Sequence, residues 1–116
     1  MTPSEMATEI LKNIEATRAV MEDGPTGYVL HTADKMHLLC QKPGGQIFKS
    51  HPQNDAVLVL TSHARAVTAQ RWWNHHNPDD KVKIALRREA MQAYIDEQQN
   101  AHNILLTLIQ MKEQLG

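Results

Sequence analysis

The sequence predicts an α+β domain: an N-terminal helix, a small mixed sheet of three to five strands, and a long C-terminal amphipathic helix. Three observations carry this. Apolar residues recur at helical spacing at both ends of the chain, the period drops to two between residues 28 and 50, and a second helical stretch separates two further apolar runs. At 116 residues the chain is the length of one domain, residues 1–116.

The first helix has a complete start signal. Thr2, Pro3, Ser4 and Glu5 give a hydroxyl cap, a proline at the first helical position and a carboxylate three residues after the cap. Met6, Ile10, Ile14, Thr17 and Met21 follow at helical spacing, with Ala7 and Leu11 widening the stripe, and Gly24-Pro25 ends it. The predicted helix spans 3–22. Tyr28–Thr32 and Met36–Gln41 then read as a β-hairpin around Ala33, Asp34 and Lys35. Pro43-Gly44-Gly45 is a second turn, Gln46–Ser50 a third strand, and His51–Asp55 a loop. Ala56–Leu60 is continuously apolar and β-branched, the pattern of an interior strand.

Thr61-Ser62 caps a helix over 62–76, stopped by Asn77-Pro78. Lys81–Leu86 alternates strictly and reads as a half-buried strand, with one long helix from Pro78 as the competing reading. As a strand it forms a β-α-β unit with Ala56–Leu60, making the two parallel neighbours. Residues 88–115 are helical. From Ile104 onward their apolar stripe broadens, and a helix apolar over most of its circumference wants more than one neighbour.

Composition bounds the function. Leu, Ile, Val and Phe total 25 residues, enough for a folded chain with a thin core. No apolar run approaches a membrane span of about 20 residues, and the N-terminus has acids where a signal peptide needs bases. The single cysteine, Cys40, reads as a small buried hydrophobe, and the cytoplasm is the expected compartment. The net charge of −1 conceals a gradient: −3 over 1–24, +1 over 25–60, +4 over 61–88 and −3 over 89–116.

The basic region supplies one candidate surface: Arg65, Arg71, Trp72, Lys81, Lys83, Arg87 and Arg88, which would contact nucleic acid or a protein partner. On the helical wheel Trp73 turns to the sheet beside Ala66 and Ala69, while Trp72 lies on the flank with Arg65, Thr68 and His76. With a three-residue hairpin loop, His31 faces His37, a weak candidate for a shared metal ion that lacks the third ligand zinc requires. A one-residue slip of register removes that pair. No glycine-rich phosphate loop or nucleophile elbow is present, and no cofactor is implied.

The strongest pointer is the surplus apolar helix. Ile104, Leu105, Leu108, Ile109, Met111 and Leu115 are expected to be covered by a second subunit or a protein partner. The leading expectation is therefore a small, non-enzymatic interaction protein, homodimeric, acting on another macromolecule as a regulator or inhibitor of the kind carried by phages and mobile elements. Nucleic-acid binding through residues 61–88 is the alternative, and a small enzyme or histidine metal site the third reading.

Overall fold

A computed structural model describes residues 2–23 and 26–115. The elements run α1 (Pro3–Glu22), β1 (Tyr28–His31), β2 (Leu38–Gln41), β3 (Ile47–Ser50), α2 (His63–His76), β4 (Lys83–Leu86) and α3 (Arg87–Leu115). The strands form one sheet in the order β3-β2-β1-β4, and every neighbouring pair is antiparallel. This is the expected α+β architecture.

Helix α1 begins as the sequence predicts. The Thr2 hydroxyl accepts from the Glu5 amide and the Glu5 carboxylate accepts from the Thr2 amide, a reciprocal cap. Ala7, Ile14 and Thr17 are its buried residues, and among the described residues α3 is the one element it packs against. The expected Gly24-Pro25 stop lies outside the described residues.

Both faces of the sheet carry apolar clusters, with α2 and α3 lying over β1 and β4. Leu30, Leu39, Trp73 and Val82 form a cluster on the α2 side, joined by Ile84 and Leu60. Val29, Leu38 and Ala90 form a second cluster on the α3 side. Successive strand residues point to opposite faces, so three consecutive buried residues in β2, Leu38 to Cys40, are what a two-sided core requires.

The mixed sheet is corrected by one segment. Ala56–Leu60 runs through the sheet interior but makes only isolated bridges, Val57 to Cys40 and Leu60 to Tyr28. β1 and β2 pair at His31 and Leu38 and diverge from there, and this segment fills the wedge between them. On one side the Leu58 amide donates to Leu39 and the Gln41 amide to Ala56; on the other, Tyr28 and Leu60 exchange both bonds. Because it is antiparallel to β1, and β1 is antiparallel to β4, it does run in the direction of β4. β1 stands between the two, so the expected parallel pairing does not form.

Gly27 makes the wedge possible. Its φ is +99°, and a Cβ there would lie 2.6 Å from a methyl of Val59. The strand reading of Lys81–Leu86 holds over Lys83–Leu86, and α3 follows with no loop. Val82 stays outside the ladder because α2 claims its backbone. The Asn74 amide brackets Val82, accepting from its N–H at 2.8 Å and donating to its carbonyl at 3.4 Å. Trp73 Nε1 donates to the Asp80 carbonyl at 2.7 Å.

Candidate interaction surface

Helix α3 has 29 residues and so runs about 43 Å. Its buried residues, Ala90, Met91, Tyr94, Ile95, Gln98 and His102, all lie in its first 16 positions. Beyond His102 the chain continues helical with no buried residue. The six predicted contact residues divide into two sets there. Leu105 and Ile109 are half-buried and continue the seam of Gln98 and His102 at helical spacing.

Ile104, Leu108, Met111 and Leu115 form the second set, exposed at 62%, 53%, 52% and 88%. Their spacing of four, three and four residues places them on one stripe, the arrangement of a helix seam awaiting a partner. Asn103, Thr107 and Gln114 border it on one side and Lys112 on the other, so it has an apolar centre with polar neighbours.

The whole molecule is elongated, with extents of 55 × 33 × 23 Å, and exposes more surface than a compact one. A folded monomer of 13.1 kDa exposes about 6,400 Å². This one exposes 7541 Å². The radius of gyration is 16.4 Å, against about 13 Å for a compact chain of this length. The excess, about 1,100 Å², exceeds the roughly 800 Å² each partner contributes to an ordinary interface.

The basic residues are not gathered into one track. Arg65 and Trp72 share a flank of α2, as the wheel predicts, and Trp72 is 52% exposed with its ring 4.6 Å from that of His76. Arg71 lies about a third of a turn further round that helix. On β4, Ile84 faces α2 whereas Ala85 belongs to the opposite cluster. Alternation therefore puts Lys83 on the side away from α2. Lys81 and Arg88 are exposed, and Arg87 is half-buried at the start of α3.

The proposed histidine pair is a register error. His31 stands opposite Leu38, and the Thr32 amide donates to His37, one residue away from the expected pairing. His37 instead stacks on His51, centroids 5.6 Å apart, with an Asp34 carboxylate oxygen 3.7 Å from its Nδ1. Among the described residues no group of three His, Cys, Asp or Glu side chains is placed to hold a metal ion. Asp34 accepts from the Thr32 hydroxyl and the Met36 amide, which hold its carboxyl below the usual carboxylate range, with His37 and Lys49 assisting. Cys40 is fully buried, and desolvation raises its thiol pKa.

Comparison with protein-family models, with curated proteins and with solved structures finds no match to this chain. No helix of the described residues is long and apolar enough to cross a membrane. Fold and surface together define a small α+β domain with an uncovered helix end.

Proposed function

We propose that this chain is a non-enzymatic interaction protein whose working surface is the last three turns of α3, and whose first partner is a second copy of itself. The carrying observation is the stripe of Ile104, Leu108, Met111 and Leu115, exposed on the outer face of a helix end whose other face carries the half-buried Leu105 and Ile109. Large apolar patches of this kind are unusual on monomers. A two-fold arrangement of two such helices covers each stripe with its equivalent, and the excess surface is of the size that a stable dimer buries.

Burying these side chains contributes several kcal/mol at about 25 cal/mol per Å². The dimer then presents paired copies of the remaining surfaces to a further macromolecule, as a regulator or inhibitor does. Light scattering on the intact chain and on Ile104→Glu/Leu108→Glu tests the proposal. The intact chain has the dimer mass; the variant, whose changes lie at exposed positions, keeps its helical circular dichroism and has the monomer mass. A folded variant with the dimer mass contradicts the proposal.

A further inference from the structure

A groove of about 650 Å³ separates α2 from the sheet, within the range of small-molecule sites. It exists because α2 turns Ala64, Thr68 and Ala69 toward it, where longer side chains would fill the space. Leu39, Ile47 and Leu58 give it apolar walls, and its mouth carries the half-exposed indole of Trp72 beside Arg65. Among the described residues no carboxylate pairs with Arg65; the ion pairs are His37 with Asp34 and Lys49 with Asp80.

We infer that this groove is a binding site for a small amphipathic carboxylate, its acyl or aryl part lying against the apolar walls and its carboxylate on the Arg65 guanidinium. The charge selects the ligand. Among the described residues Arg65 is the one cation lining the groove, and a single planar guanidinium matches a carboxylate in a two-bond fork. A phosphate monoester, with nearly twice the charge, calls for further cations that the lining lacks. The lining is mainly apolar, with Gln41 and Thr68 as polar exceptions, so it favours a chain or ring over a small acid whose several hydroxyls would mostly lie unpaired against residues such as Leu39 and Leu58. Trp72 contributes a flat apolar surface at the mouth, where a chain or ring leaves the groove.

Calorimetric titration of the full chain with octanoate tests this, with octanol as the neutral probe. Octanoate binds saturably with one site per chain. Arg65→Ala weakens octanoate by about tenfold or more and leaves octanol unchanged, the signature of a lost charge-assisted bond. Thr68→Phe fills the groove and abolishes both; Ala64→Leu serves the same purpose if that variant fails to melt cooperatively. The inference is overturned by the absence of saturable heat, by equal octanoate affinity in Arg65→Ala, or by undiminished binding in a folded groove-filled variant. It is also overturned if Ile104→Glu/Leu108→Glu abolishes binding, which places the ligand between subunits. The other outcomes do not depend on whether the chain dimerises.

Discussion

Asp34 anchors the turn between β1 and β2, accepting from the Thr32 hydroxyl and from the Met36 amide at 2.9 Å. Both bonds favour the ionised form, so its folded pKa lies below the unfolded one. Its contribution is therefore complete above the unfolded carboxylate range and is lost as pH falls through the folded value. The side chain is 59% exposed, and solvent screening holds that contribution under about 1 kcal/mol. Asp34→Ala lowers the urea midpoint slightly at pH 7, and the difference closes near pH 2, in strong acid. A difference that persists in acid shows that the carboxylate is not its source. Cys40 has the opposite sense. Burial raises its folded pKa, so the stability it contributes is full below the unfolded thiol pKa and declines as pH rises through the folded one. At pH 8, in mild alkali, native Cys40 reacts with iodoacetamide far more slowly than the unfolded chain does. Equal rates would mean that β2 is open to solvent.

At the scale of the elements, the wedge of Ala56–Leu60 between β1 and β2 depends on the close approach at Gly27. Gly27→Ala places a Cβ 2.6 Å from Val59 at a positive φ and destabilises by about 2 kcal/mol or more in urea melts. Gly44→Ala, with nothing within 4 Å of the added Cβ, is close to neutral. Equal stability of the two variants would contradict the packed wedge. The helices were legible in the sequence because their signals are local: the Thr2–Glu5 box, the Ser62 cap and the apolar periodicity of 88–115. The hairpin register was not, because it rests on the turn. Lys35 adopts φ +63°, the Lys35 amide donates to Thr32, and the pairing shifts by one residue from a simple three-residue loop. The sheet order was equally hidden. The apolar run 56–60 does lie between two strands, but as a half-buried segment with isolated bridges rather than the expected interior strand, and nothing local says that β1 will stand between it and β4. The groove was missed too, although the short side chains of Ala64, Thr68 and Ala69 on one flank of α2 were its available signal.

At the scale of the molecule, one end is packed and the other is not. Sheet, α2 and the first half of α3 hold both core clusters, whereas residues 103–115 contain no buried side chain. The sequence indicated this imbalance through the broadening stripe after Ile104, and four of its six candidates form the exposed face while Leu105 and Ile109 belong to the intramolecular seam. On the proposed reading a second copy covers this end. Multi-angle light scattering over a dilution series tests it most directly. The intact chain should elute at twice its 13.1 kDa mass and fall toward the monomer mass on dilution, while Ile104→Glu/Leu108→Glu remains folded and monomeric throughout. A monomer mass for the intact chain at every concentration, unchanged by the two glutamates, would contradict the account.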